Sequence, residues 1–252
     1  MERELSEGDV ILVEKLTYGP VIPKNLSQIP FLNILFKPRE DARYYKRLKG
    51  FLDIQRNDIV VFKKERHSKS YIKRIIGLPN ETFKIIDSKV YIDNKLLEEK
   101  KNFSFEYIPI NQGKENYLLS NLEYTNFHLK DSLKRNIYKS KTKVQSIFPK
   151  EKIFDWNRDN YGEIWIPNKG KCINLNKNNI IFYKNIIEYE SGLTIKIDKN
   201  TDNIFLGKKK IDNHVFIYDY YYLLGDNRHH SNDSRFFGFI CEKKILGKLY
   251  KL

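Results

Sequence analysis

Short apolar runs, each about the length of a β-strand and closed by turn-forming residues, recur along this 252-residue chain. They lie at residues 9–14, 57–62, 70–76, 82–86, 89–92, 193–198 and 204–206. Runs of this kind, rich in Val, Ile and aromatic residues, are typical of strands. Apolar residues recur at helical spacing most clearly in residues 178–189. The sequence therefore predicts a mainly β fold.

Two stretches interrupt this pattern. Residues 20–50 contain prolines at positions 20, 23, 30 and 38, and such a density of proline favours an extended surface excursion. The middle of the chain, roughly residues 100–203, is polar and rich in Asn, Lys and Tyr. We therefore predict a discontinuous core formed by residues 1–95 and 214–252, with residues 20–50 as a surface insertion and residues 96–213 as an inserted β-rich domain.

The charge balance is strongly basic, with 46 Lys and Arg against 32 Asp and Glu and a formal net charge of +14. Such an excess of positive charge can bind nucleic acid or an anionic membrane surface. The lysines are scattered rather than gathered in one stripe, and Lys, Asn and Ile are all heavily used, as codon bias in an AT-rich genome would produce. We expect no nucleic acid partner. No apolar run is long enough to cross a bilayer, so we expect no transmembrane segment in this chain.

Cys172 and Cys241 are the two cysteines of the chain. They lack the spacing of a metal-binding pair, and no histidine lies at a zinc-ligand offset, so we expect no metal site. Whether they form a disulfide depends on whether the fold brings them together.

Residues 71–79 read Tyr-Ile-Lys-Arg-Ile-Ile-Gly-Leu-Pro. Because side chains alternate along a strand, Lys73 and Arg74 would lie on opposite faces among apolar neighbours. A lysine held there is partly desolvated, which lowers its pKa and allows its neutral amine to act as a general base. The alternative is a lysine whose amine reaches solvent from an edge strand.

Residues 225–238 read Gly-Asp-Asn-Arg-His-His-Ser-Asn-Asp-Ser-Arg-Phe-Phe-Gly. A loop this dense in short hydrogen-bonding groups usually builds a fixed polar network. Its carboxylates can neutralise arginines of the loop or Arg74, and its hydroxyls can bind a neighbouring amine. These side chains are Asp226, Arg228, Ser231, Asp233, Ser234 and Arg235. The alternative is a solvated loop with two caps.

Together, these two segments resemble the motifs of the type I signal peptidases, membrane-bound serine proteases with a Ser/Lys dyad. Residues 8–19 resemble the stretch after the family's nucleophile, residues 56–62 the strand before its lysine motif, and residues 245–248 its C-terminal signature. Residues 156–167 and the proline-rich insertion resemble the enlarged Bacteroidetes-type form. The resemblance implies a β-rich catalytic core with a second, inserted β domain.

The resemblance also implies the reaction, which is removal of signal peptides from secreted pre-proteins through an acyl-enzyme, without cofactor or metal. Lys73 would be the general base and Ser231 would orient its amine. A structural network would support them, and its members are Arg74, Asp226, Asn227, Arg228, Asp233, Ser234 and Arg235. Apolar pockets would accept small substrate residues at positions −1 and −3. The residues of this binding site would be Met1, Leu5, Tyr71, Ile72, Leu223 and Asn232.

The resemblance breaks down at the start of the chain. In the family's first motif the nucleophilic serine directly precedes a Met, which aligns with Met1, and Glu4 stands where the family has Thr. We therefore expect that this chain is N-terminally truncated and lacks the nucleophile and the membrane anchor, which leaves its activity open.

Three hypotheses follow from the sequence. The chain is a signal peptidase whose first residues are missing, a non-catalytic relative that binds signal peptides or partner proteins, or a basic β protein that binds nucleic acid. The third hypothesis needs a coherent basic face, and the two motif segments do not support it. The expected partners are signal peptides and the membrane surface, with the catalytic body on the outer, periplasmic face of the cytoplasmic membrane.

Overall fold

A computed structural model describes residues 9–22, 46–64, 69–111, 115–137, 147–151 and 154–250. Its strands, in chain order, are β1 (Leu12–Glu14), β2 (Val21–Ile22), β3 (Lys46–Arg47), β4 (Ile59–Lys63), β5 (Ser70–Gly77), β6 (Thr82–Ile86), β7 (Lys89–Ile92), β8 (Lys95–Leu96), β9 (Ser104–Pro109), β10 (Tyr117–Ser120), β11 (Leu133–Arg135), β12 (Tyr161–Trp165), β13 (Cys172–Asn174), β14 (Ile195–Ile197), β15 (Ile204–Leu206), β16 (Lys209–Lys210), β17 (Asn213–Val215), β18 (Tyr220–Leu224), β19 (Ile240–Cys241) and β20 (Ile245–Tyr250). The α-helices are α1 (Asn121–Asn126), α2 (Ile180–Ser191) and α3 (Ser234–Phe237), and short 3₁₀ turns lie at Lys130–Ser132 and Glu242–Lys244. The predicted mainly β fold is confirmed.

Strands from both ends of the chain form one six-stranded sheet in the order β1-β20-β4-β5-β18-β19. At its centre β4 and β5 pair antiparallel, with Val60 opposite Lys73 and Ile59 opposite Arg74. On the other side of β5 lies β18, with Leu224 opposite Arg74. Every residue of β18 is buried. The strand that carries Lys73 therefore lies between two neighbouring strands. The alternative, in which the lysine amine reaches solvent from an edge strand, required β5 to lie at the edge of the sheet.

The two faces of β5 contact different parts of the core. Ile75 belongs to a small apolar cluster with Phe62 and Leu223, and Tyr71 packs against that cluster. Ile76 belongs to a second, larger cluster. This division follows from the alternation of side chains along a strand.

The larger cluster extends well beyond the six-stranded sheet. It joins Phe83 of β6, Phe105 of β9 and Ile187 of α2, and β12 pairs with β6 in a sheet of order β12-β6-β7-β8. Residues on both sides of the predicted boundaries therefore share one core. The division into a core of residues 1–95 and 214–252 and an inserted domain of residues 96–213 remains a prediction.

The helix predicted over residues 178–189 is α2. Ile180, Tyr183, Ile186 and Ile187 are its buried apolar residues, and their spacing places them on the face that packs into the larger cluster. The helix ends at Gly192, whose φ of 72° is a left-handed conformation that favours glycine.

The predicted strands at residues 70–76, 82–86, 89–92 and 204–206 correspond to β5, β6, β7 and β15. β2 and β3 pair with each other near the two ends of the proline-rich stretch. Residues 23–45 between them lie outside the described residues, so the surface excursion remains a prediction. Among the helices of the described ranges, none is long and apolar enough to span a membrane.

Candidate active site

A buried ion pair ties β5 to the loop that follows β18. Arg74 donates from Nε to Asp226 Oδ1 at 2.8 Å and from Nη2 to Asp226 Oδ2 at 2.5 Å. Its Nη1 donates to the carbonyl of Asn57 at 2.8 Å. Each side chain of the pair is only 5% exposed. A two-point pair of this kind fixes the orientation of the loop as well as its distance from β5.

A second ion pair closes the same loop, because Asp233 caps α3 and binds Arg235. Arg235 donates from Nε to Asp233 Oδ1 at 2.9 Å and from Nη2 to Oδ2 at 2.8 Å, and the Gly225 N–H donates to Oδ2 at 3.1 Å. Arg235 also donates to the carbonyl oxygens of Arg228 and Arg158, at 2.6 and 3.1 Å. Burial alone would raise the pKa of Asp233, but the Arg235 guanidinium and the hydrogen bonds outweigh it and hold that pKa below its usual value.

The side chains of Lys73 and Ser231 both lie beside Gly225. A Cβ at Gly225 would lie 2.1 Å from Ser231 Oγ and 3.6 Å from Lys73 Cδ. Because Gly225 has no side chain, the side chains of Lys73 and Ser231 both have room beside it. Ser231 Oγ is buried there. The structure thus brings together the two residues that the sequence assigns to catalysis.

Asn227 and Arg228 attach the loop to β9. Asn227 forms an isolated bridge with Ser104, and the N–H of Arg228 donates to the carbonyl of Ser104 at 2.9 Å. The Arg228 guanidinium lies 4.3 Å from the centre of the Phe103 ring. Burial, together with the nearby charge of Arg235, lowers the pKa of Arg228 to about 10.

The predicted substrate-binding residues lie around Lys73 at different depths. Tyr71 and Ile72 precede it on β5 and are half-buried. Leu223 is fully buried, and its N–H donates to Ser234 Oγ at 3.0 Å. Asn232 is exposed on the loop. Met1 and Leu5 lie outside the described residues.

Sequence reasoning missed a buried polar cluster that braces the loop. His229 Nδ1 accepts the N–H of Glu106 at 2.8 Å, so the ring proton lies on Nε2, which donates to Asp159 Oδ1 at 3.1 Å. Asp159 Oδ1 also accepts the hydroxyl of Ser88 at 2.7 Å. Arg158 Nη1 donates to the carbonyl of His229. Both His229 and Asp159 lie within motif segments of the sequence, but nothing in the sequence indicates that these segments touch.

Across the described ranges, no group of three or more His, Cys, Asp and Glu side chains is placed to hold a metal ion. Both cysteines are free, Cys172 at the surface and Cys241 in the interior. Burial raises the pKa of the Cys241 thiol to about 12.

Comparison with known families places this site in context. The sequence profile described as "Signal peptidase, peptidase S26" matches residues 1–160 and 170–251. Signal peptidase I of Buchnera aphidicola subsp. Baizongia pistaciae is 28% identical over 252 residues, covering 97% of this chain and 64% of the relative. Its counterpart in Buchnera aphidicola subsp. Schizaphis graminum is also 28% identical, covering 97% of this chain and 62% of the relative. The chain therefore spans slightly less than two thirds of the length of these relatives.

A shorter match joins the chain to signal peptidase I of Rickettsia prowazekii, which is 37% identical over 99 residues, covering 39% of this chain and 33% of the relative. Among solved structures, a signal peptidase I from Enterococcus faecalis matches with 19% identity and a TM-score of 0.33, covering 79% of this chain and 97% of the other. The Bacteroidetes-type form remains a prediction.

Proposed function

Because the chain belongs to the signal peptidase family, peptidase S26, we propose that it serves as an endopeptidase that removes signal peptides from secreted pre-proteins. In this proposal Lys73 is the general base and Ser231 is the residue that positions its amine. The observation that carries the proposal is that Lys73 and Ser231 both lie beside Gly225.

The proposed reaction is amide hydrolysis in two steps. The neutral amine of Lys73 removes the proton from the nucleophilic serine, whose oxygen attacks the carbonyl carbon of the scissile bond. The amide C–N bond then breaks, the leaving amine takes the proton from Lys73, and an acyl-enzyme remains. Water, deprotonated by the same lysine, hydrolyses this ester and restores the serine. In this proposal the nucleophile is the serine of the family's first motif, whose following residues resemble residues 1–5.

The two buried ion pairs support this assignment because they fix the loop that carries Ser231. Arg74 and Arg235 are each bound by a carboxylate at two points. A loop fixed at these points places the Ser231 hydroxyl reproducibly.

The proposed substrate site includes Tyr71 and Ile72, which directly precede Lys73 on β5 and are half-buried. With Met1 and Leu5, these residues would form shallow apolar pockets for small side chains at positions −1 and −3. Leu223, which is fully buried, would support the pockets from within, and Asn232 would border them.

We further propose that the catalytic body lies against the outer face of the cytoplasmic membrane. Leu16, Leu48, Phe51 and Leu52 are exposed, Phe51 to 85%. The two segments that carry them are in contact, because the N–H of Leu52 donates to the carbonyl of Thr17 at 2.9 Å. Apolar side chains gathered on one exposed surface of a basic protein suit an anionic bilayer.

The test uses the protein as its own cell produces it, with its N-terminus and intact mass determined first. Cleavage of a pre-protein is then compared between this protein and its Lys73→Ala variant, with Lys89→Ala on the exposed part of β7 as the matched control. We expect Lys73→Ala to lower kcat by about 10³-fold or more, and Lys89→Ala to leave it unchanged. Cleavage that survives Lys73→Ala would exclude the proposed dyad, and binding of pre-protein without any cleavage would favour the non-catalytic relative.

A further inference from the structure

A wide groove adjoins the loop that carries Ser231. Its volume of about 1180 Å³ exceeds the range of about 300–1000 Å³ that is typical of pockets for small molecules. Ser231 and Asn232 line it on the loop, Phe182 and Tyr189 line it on α2, and Cys241 lines it on β19. The groove therefore joins the candidate active site to the helix of the predicted insertion.

Several aromatic side chains are among the residues that line the groove. Phe148, which lines it, packs against Phe182 and Phe239 with ring centres 6.3 and 5.6 Å apart. Phe236 and Phe237 of α3 also line it. Such rings supply a firm apolar surface for a peptide at little cost in conformational entropy.

The charged groups of the groove are mostly cations, namely Lys64, Lys150, Arg158 and Lys244. Lys64 Nζ lies 4.7 Å from the centre of the Phe237 ring and Lys244 Nζ lies 4.7 Å from that of Tyr189, so both amines are held at the groove surface.

The carboxylate among the groove's lining residues is that of Glu106, and it already has partners. It lies 2.7 Å from His230 Nε2 and accepts Asn136 Nδ2 at 3.0 Å. The groove as a whole therefore complements a ligand that carries negative charge.

The groove adjoins Ser231 but not the proposed pockets for positions −1 and −3. Ser231 and Asn232 line it, whereas Tyr71, Ile72 and Leu223, which are expected near substrate positions −1 and −3, do not. A peptide that passes from those pockets across the dyad would enter the groove with the residues that follow the scissile bond.

We propose that this groove binds the mature-side segment of the pre-protein, in an extended conformation, and that it favours segments carrying acidic and aromatic side chains. This inference rests on the proposed function for the direction of the chain. It adds a second region of substrate recognition, separate from the apolar pockets for the residues before the scissile bond.

The test measures binding rather than cleavage, so it does not depend on catalysis. A fluorescent peptide of 12 residues with three Glu and one Phe, which represents the mature side of a substrate, is titrated into the Lys73→Ala protein, and anisotropy gives its Kd. The same peptide with Lys in place of Glu is titrated in parallel. We expect the acidic peptide to bind at least about 10-fold more tightly at low salt, with the difference shrinking as salt is added.

The variant Lys150→Glu/Lys244→Glu reverses two charges of the groove. The matched control is Lys208→Glu/Lys209→Glu, at two exposed neighbouring positions outside the groove. We expect the groove variant to weaken the acidic peptide by about 10-fold and the control to change its Kd by less than about 2-fold. Equal effects of the two variants would overturn the proposal, because the attraction would then come from net charge alone.

A peptide that spans the signal-side residues up to position −1 separates this inference from the proposed function. We expect the groove variant to leave its Kd unchanged. If the groove variant weakens this peptide instead of the mature-side one, the assignment of the groove is wrong while the peptidase function stands. If the mature-side peptide binds as expected but the unmodified protein never cleaves a pre-protein, the proposed catalysis fails and the groove still binds its peptide.

Discussion

The ion pair between Arg74 and Asp226 allows a direct test of how the loop that carries Ser231 is held. In Asp226→Asn the side chain keeps its shape but loses its charge, and its amide NH₂ group faces a guanidinium that also carries only donors. Because both side chains are 5% exposed, water cannot replace the lost partner. Breaking a buried pair from one side costs about 3–5 kcal/mol of the free energy of unfolding. For a protein of this size that corresponds to a fall in Tm of about 6–20 °C.

Urea unfolding followed by circular dichroism measures this loss, and two further variants make the measurement specific. Asp202→Asn removes the carboxylate of a pair with Lys177 whose side chains are 53% and 61% exposed, and it should cost no more than about 1 kcal/mol. The double variant Arg74→Met/Asp226→Leu removes both buried charges and should be more stable than Asp226→Asn. A loss below about 1 kcal/mol in Asp226→Asn, equal to that in Asp202→Asn, would refute the reasoning.

Three further predictions concern the same region. Gly225→Ala places a Cβ 2.1 Å from Ser231 Oγ, so Ser231 must move, and we expect kcat for pre-protein cleavage to fall by about 10²-fold; unchanged kcat would show that the position of Ser231 is not critical. The pKa of Asp233 is lowered in the folded protein, so the stability that its carboxylate contributes is complete above its unfolded pKa of about 3.9 and is lost as the pH falls through the folded value. We therefore expect Asp233→Asn to flatten the pH dependence of urea unfolding below about pH 4. An unaltered pH profile would contradict this. Cys172 is exposed, whereas Cys241 is buried with the pKa of its thiol raised to about 12. We therefore expect iodoacetamide at pH 8 to label Cys172 alone until the protein is unfolded, which peptide mass spectrometry measures. Equal labelling of both thiols in the folded protein would count against the buried position of Cys241.

The local parts of the fold were predictable because their signals are local. The strand at residues 70–76 and the helix at residues 178–189 show apolar periodicity in the sequence, and the structure has β5 and α2 there. The turn after the helix is marked by Gly192. Such features depend on neighbours along the chain, so a single sequence carries them.

The partners within the candidate site were only partly predictable. The sequence offered several arginines for each carboxylate, and only the folded geometry pairs Asp226 with Arg74 and Asp233 with Arg235. The contact between His229 and Asp159 joins residues 70 positions apart. A side-chain contact at this separation depends on how distant segments pack, and no periodicity in the sequence records it.

Three contacts with other segments explain how this loop can hold Ser231 in place. Ser231 lies on irregular backbone between β18 and α3, and loops position groups less accurately than strands do. Asp226 anchors this loop to β5, Asn227 to β9, and His229 to the segment before β12. Each anchor comes from a different part of the chain, and two of them belong to the predicted insertion. Because a displacement of about 1 Å can cost about 10²-fold in rate, residues 96–213 contribute to the geometry of the site as directly as the strand that carries Lys73.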